Sequence, residues 1–136
     1  STGQLTKLTE LSLDYSDNGL GDDGVESLAI HLACKPSIES LSLNLSKNGI
    51  TAAGIKELAS KIGDDALSKL KSLTLNLRNN SIGDAGAQEL GAGIAKLQNL
   101  TSLNLILSDN GVGVKGLNAL SNAIGTVGKL TSLSIQ

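Results

Sequence analysis

Two stretches of the chain, Gly19-Leu-Gly21-Asp-Asp-Gly24 and Gly111-Val-Gly113-Val-Lys-Gly116, spell G-x-G-x-x-G. Between a strand and a helix, that spacing lets the backbone cradle a dinucleotide pyrophosphate. Two carboxylate pairs, Asp22/Asp23 and Asp64/Asp65, have the composition of a general acid–base couple. His31 has the chemistry of a metal ligand, and Cys34 that of a reactive thiol. Three N-x-(S/T) sequons, at Asn44, Asn79 and Asn99, could carry glycans if the chain is secreted.

Each of these signals weakens when set against the rest of the sequence. The turn that reads G-x-G-x-x-G twice recurs as Gly49-Ile-Thr-Ala-Ala-Gly54 and Ser81-Ile-Gly83-Asp-Ala-Gly86, where the pattern breaks. A strand–turn–helix coil makes such turns with or without a phosphate, so no cofactor is expected. His31 has no second histidine and Cys34 no second cysteine, so neither a metal site nor an internal disulfide is expected. The single cysteine leaves the compartment undecided, and Cys34 reads as a small buried or half-buried filler. Asp22/Asp23 fall at a helix start, where acids favour the dipole and cap free N–H groups. Asp64/Asp65 sit in a two-residue insertion. Neither pair has a partner base, so no catalytic residue is expected. In a chain so rich in Asn and Ser, chance supplies a few sequons.

The totals point the same way. A net charge of −2 argues against a nucleic-acid partner, which needs a basic patch. No apolar run approaches a membrane span, and no signal-peptide pattern opens the chain. There is no Phe, Trp or Met and one Tyr, so the core must be built from Leu, Ile, Val and Ala. Gaps that aromatics would close in a globule are avoided when the core is a stack of like layers.

Such layers are visible as an internal repeat. Leu8-Thr-Glu-Leu11-Ser-Leu13-Asp-Tyr15-Ser-Asp-Asn18 returns as Ile38 to Asn48, Leu70 to Asn80 and Leu100 to Asn110, and a fifth copy starts at Leu130. Apolar residues alternate at 11/13/15, 41/43/45, 73/75/77 and 103/105/107, which is the period of a strand with one buried face. A turn and a glycine (Gly24, Gly54, Gly86 or Gly116) lead into a helical period. It runs Val25/Leu28/Leu32, Ile55/Leu58/Ile62, Ala87/Leu90/Ile94 and Leu117/Leu120/Ile124. Strand, turn and helix in this order require parallel strands with right-handed crossovers. The glycine is expected to permit either a close backbone approach or a positive φ. The Asn at 18, 48, 80 and 110 is expected to turn inward and bond backbone groups of the turn, as a ladder.

The motif L-x-L-x-x-N-x-(L/I/V) with its downstream G-x-x-x-L resembles the leucine-rich-repeat family, in particular the ribonuclease-inhibitor-like class with long helical repeats. The resemblance implies a single α/β solenoid over residues 1–136, with a parallel inner sheet, outer helices, about four repeats and a fifth strand. Here the strand motif is two residues longer than the family's, which should widen the inner sheet. The resemblance also implies a non-enzymatic protein-binding or scaffolding module. That class includes Ran GTPase-activating proteins, but the acidic tail and rim loop that reading needs are not found.

In that architecture the outward strand residues form the candidate binding face: Ser42, Asn44, Ser72, Thr74, Asn76, Arg78, Ser102, Asn104 and Ile106. Ser42, Thr74 and Asn104 are expected to be exposed, with Leu41, Leu43, Leu73, Leu75, Leu103 and Leu105 buried behind them. Asn44 and Asn79 flank this face, so glycans there would block it. Residues 1–7 align with 123–129, Leu5 matching Val127, and neither end carries a polar cap. The chain is therefore expected to be excerpted from a longer array, or to stack end to end with its own copies in a filament or stalk.

Overall fold

A computed structural model of the chain describes residues 9–34, 37–63 and 67–136. The repeat start at Leu8, the match of Leu5 to Val127, and the Asp64/Asp65 insertion lie outside the described residues. The elements alternate as β1 (Glu10–Asp14), α1 (Gly21–Ala33), β2 (Ser40–Asn44), α2 (Ala52–Ile62), β3 (Ser72–Asn76), α3 (Gly83–Ile94), β4 (Ser102–Ile106), α4 (Val114–Ile124) and β5 (Ser132–Ile135). All neighbours in the sheet are parallel and consecutive, in the order β1-β2-β3-β4-β5.

Register follows from the leucine period. Leu41 pairs with Leu11 and Leu73, and Leu75 pairs with Leu43 and Leu105. A slip of one residue would turn every leucine row to solvent. The six interior leucines predicted to be buried are each no more than 2% exposed. Ladder hydrogen bonds continue past the ends of the strands at the extra pair of the motif. Leu45, Leu77 and Leu107 are buried, and the Leu45 and Leu77 N–H groups donate to the Asn76 and Ile106 carbonyls at 2.8 Å.

One expectation fails on the other side of the sheet. Ser42, Thr74 and Asn104 are half-buried rather than exposed. In-register parallel strands lie roughly 4.8 Å apart, so each short side chain is walled in by the one beside it.

The helices cover the opposite face of the sheet and bury Val25, Leu32, Ile55, Leu58, Ile62, Ala87, Leu90, Ile94, Leu120 and Ile124. Leu28 in α1 is half-buried and Leu117 in α4 is 44% exposed, because each lacks a neighbouring coil on one side. Small residues let helices approach closely: a Cβ added at Gly93 in α3 would lie 2.6 Å from that of Ala59 in α2.

Candidate binding surface and the turns that hold it

The candidate face is three registered rows across β2, β3 and β4. They are Ser72 beside Ser102, then Ser42–Thr74–Asn104, then Asn44–Asn76–Ile106. The third row also ends the strands. Asn44 Oδ1 accepts from the Ser46 N–H at 3.2 Å and hydroxyl at 2.9 Å, and Asn76 Oδ1 accepts from the Arg78 N–H at 3.1 Å. Asp14 does the same in the first coil. The Ser16 N–H and hydroxyl hold its carboxyl below the usual range, against a small desolvation effect.

Ile106 breaks this row by placing an aliphatic side chain beside Asn76. Arg78, exposed in the turn just beyond β3, pairs loosely with Asp109 at 3.5 Å. Both partners of that pair are mostly solvated, so it stabilises little and leaves the guanidinium available. The middle row carries an oddity at Asn104, whose Oδ1 is buried with no hydrogen-bond partner among the described residues.

Behind the face, the asparagine ladder tightens as it moves inward. Asn48 Oδ1 accepts from the Asn18 and Leu20 N–H groups at 3.0 and 3.1 Å, and its Nδ2 donates to the Tyr15 and Ser46 carbonyls. Asn80 repeats this with the Asn48 and Ile50 N–H groups and the Leu45 and Leu77 carbonyls. Asn110 reaches back to Ile82 and Leu77. Every interior rung therefore joins its own coil to the preceding one. Asn18 is exposed, and among the described residues its side chain makes a single bond, Nδ2 to the Ser16 carbonyl.

The acids at the helix starts do more than the sequence suggested. Asp22 lies in the first turn of α1, yet its carboxylate accepts from the Thr51 N–H at 2.8 Å and the Thr51 hydroxyl at 2.6 Å, at the start of α2. Asp84, in the first turn of α3, accepts from the Gly113 and Gly116 N–H groups at 2.7 and 3.1 Å, at the start of α4. Each aspartate thus caps the helix of the following coil, not its own. The glycines at 54 and 116 serve this contact: a Cβ at Gly116 would sit 2.5 Å from Asp84 Oδ1, and one at Gly54 would collide with Asp22 Oδ1. Of the two expectations for these glycines, close approach is the one realised. Positive φ belongs to Gly19, Gly21, Gly49, Gly83 and Gly111.

The turns consequently alternate. Coils one and three carry a positive-φ glycine, Gly21 or Gly83, whose N–H donates forward to the Asn48 or Asn110 carbonyl. Coils two and four have an extended N-cap, Thr51 or Gly113, whose N–H donates backward to an aspartate. The signal was present in the sequence, since Asp22 and Asp84 are matched by Ala52 and Val114 in the even coils. It is visible only by comparing alternate repeats.

Desolvation pushes the Asp22 carboxyl up, but bonds from the Thr51 hydroxyl and from the Thr51 and Gly54 N–H groups outweigh it, and the net direction is down. A depressed folded-state pKa adds stability above the unfolded value of about 3.9, lost as pH falls through the folded value. Asp22→Ala is expected to remove about 1 kcal/mol at neutral pH, typical of a lost helix cap, and to flatten stability against pH in the acid range. Urea titrations of both proteins from neutral to acid pH check this; parallel curves at every pH would assign Asp22 no such part.

The remaining chemical candidates are dispersed. In the first G-x-G-x-x-G the Gly21 N–H donates to the Asn48 carbonyl and the Gly24 N–H to that of Leu20; in the second, Asp84 itself occupies the place of an anion. His31 Nδ1 lies 2.8 Å from the Ser27 carbonyl on its own helix. Cys34 is exposed at the end of α1, not the filler predicted, because the helix stops there and the side chain falls beyond the packed stripe. No metal-ligating cluster occurs among the described residues, and no helix among them is long and apolar enough to cross a membrane. Of the sequons, Asn79 is at an exposed turn with φ 59°, and Asn99 bonds the Ser68 carbonyl and Lys129. Asn44 is half-buried on the face itself, its Oδ1 bonded to the Ser46 hydroxyl.

Stacked strand–helix coils, joined by an inward asparagine at each turn, define a solenoid repeat protein whose broad feature is a sheet face. A family model described as "Leucine Rich repeat" matches residues 4–29, 41–59 and 69–91, together half of the chain. The chain belongs to the leucine-rich-repeat family. No curated protein matches it.

Proposed function

We propose that the chain is a non-enzymatic protein-interaction module that binds through its sheet face, centred on Asn76, Arg78 and Ile106. The observation that carries this reading is the change of character there: an aliphatic side chain beside Asn76 and an exposed arginine two residues beyond it interrupt rows otherwise made of hydroxyls and amides. Interface hot spots favour arginine beside desolvated apolar surface, while short hydroxyls mostly supply shape. The helices of 11–13 residues also support a place in the ribonuclease-inhibitor-like class.

A second reading, end-to-end stacking, has its own support. Leu11, Leu13 and Leu28 are half-buried at one end of the coil stack, where their counterparts in the interior coils are buried, and Val114 and Leu133 are 77% and 51% exposed at the other. Residues 9–34 carry six acids and no Lys or Arg, whereas residues 110–136 carry Lys115 and Lys129 and no acid. That polarity favours head-to-tail contact over head-to-head.

Peptides selected on the wild-type chain from a displayed library provide the test. Arg78→Ala with Ile106→Ser is expected to weaken their binding by about tenfold or more, as hot-spot loss does, and Lys56→Glu on the helix side to leave it unchanged. Binding that survives the face variants and fails with Lys56→Glu would overturn the reading. Light scattering of the same preparation addresses stacking, which requires a mass that grows with concentration.

A further inference from the structure

We propose that Asn18 is a site of spontaneous deamidation and isoaspartate formation, chemically singled out from two otherwise equivalent sites in the same chain. Three rungs of the ladder are followed by glycine: Asn18-Gly19, Asn48-Gly49 and Asn110-Gly111. An Asn-Gly step is intrinsically reactive because glycine has no side chain to hinder its own backbone nitrogen. That nitrogen attacks the asparagine Cγ. A C–N bond forms, the side-chain amide leaves as ammonia, and a five-membered succinimide results. Water then opens the ring at either carbonyl, giving aspartate or isoaspartate, so water is the only co-reactant.

The nucleophile does not distinguish the three sites. The N–H groups of Gly19, Gly49 and Gly111 make no hydrogen bond among the described residues, and all three glycines have φ between 63° and 69°. The electrophile does. For ring closure Cγ must rotate toward the following nitrogen, breaking whatever holds the amide. Asn48 is 3% exposed and would give up two accepted and two donated bonds. Asn110 is 4% exposed and would give up bonds to the Leu77, Leu107 and Ser108 carbonyls and from the Ile82 N–H. Asn18 is exposed and, among the described residues, has one bond to break, to the Ser16 carbonyl at 3.1 Å; nothing described donates to its Oδ1. Reaction at Asn48 or Asn110 thus requires opening of the local fold, whereas Asn18 reacts from the folded state.

The product has consequences for the same edge. Interior rungs use Nδ2 to grip a carbonyl of the coil before them, as Asn48 grips Tyr15 and Asn80 grips Leu45. Conversion at Asn18 replaces that donor by a carboxylate, among Asp14, Asp17, Asp22 and Asp23.

The test is incubation of the purified chain at physiological temperature and mildly alkaline pH, folded and in concentrated urea. Peptide mass spectrometry then follows amide-to-acid conversion, and enzymatic methylation detects isoaspartate. In urea the three sites are expected to convert at similar rates. In the folded chain Asn18 keeps its urea rate, while Asn48 and Asn110 slow by about tenfold or more, as groups that react only through local opening do. Equal rates at all three sites in the folded chain, or protection of Asn18 matching that of Asn48, would overturn the proposal.

Discussion

Leu75→Ala is expected to destabilise the chain by roughly 2–5 kcal/mol, the range for a fully buried leucine whose surroundings cannot collapse. Leu75 is 1% exposed, and its registered neighbours Leu43 and Leu105 are held by their own strands at fixed spacing. With no aromatic ring nearby to swing into the space, the cavity stays open. Each coil also depends on its neighbours for burial, so the damage spreads to both interfaces of the third coil. Equilibrium urea unfolding measures it. A change under about 1 kcal/mol would mean that the leucine rows are not close-packed as drawn, since even single methylenes are felt in native cores.

The second large effect is expected at Asn80, where replacement by alanine should cost about 1–3 kcal/mol by leaving buried groups unpaired. The Asn48 and Ile50 N–H groups and the Leu45 carbonyl, all from the preceding coil, would lose a partner that water cannot replace. Asn18→Ala is the internal control: the same residue type at the same repeat position, but exposed and with one side-chain bond. Unfolding curves that show equal losses for the two variants would remove the ladder from the account of stability.

Much of this architecture was legible in the sequence because each cue was repeated. The leucine alternation set the strand register, and the asparagine after each strand announced the ladder. What the sequence hid was whatever depended on the neighbouring coil. Ser42, Thr74 and Asn104 looked exposed because alternation sees one strand, while their burial comes from the strands on either side. Asp22 looked like a cap for its own helix because proximity in sequence is the only proximity a sequence offers. Cys34 looked buried from its residue type, and the end of α1 decided otherwise. The candidate face was locatable as a set of columns, but the bonds that tie Asn44 and Asn76 into the turns required coordinates.

The alternation of turns also constrains how such an array can change length by recombination. Removing the second coil alone would set Asp22 against Gly83, a positive-φ turn whose N–H already donates forward to Asn110. Removing the second and third together would present Asp22 with Gly113 and Gly116, the donors that Asp84 holds now. Losing or doubling one internal coil therefore leaves either a carboxylate without donors or a helix start without its carboxylate, and a two-coil event heals itself. The heritable module of this solenoid is the pair.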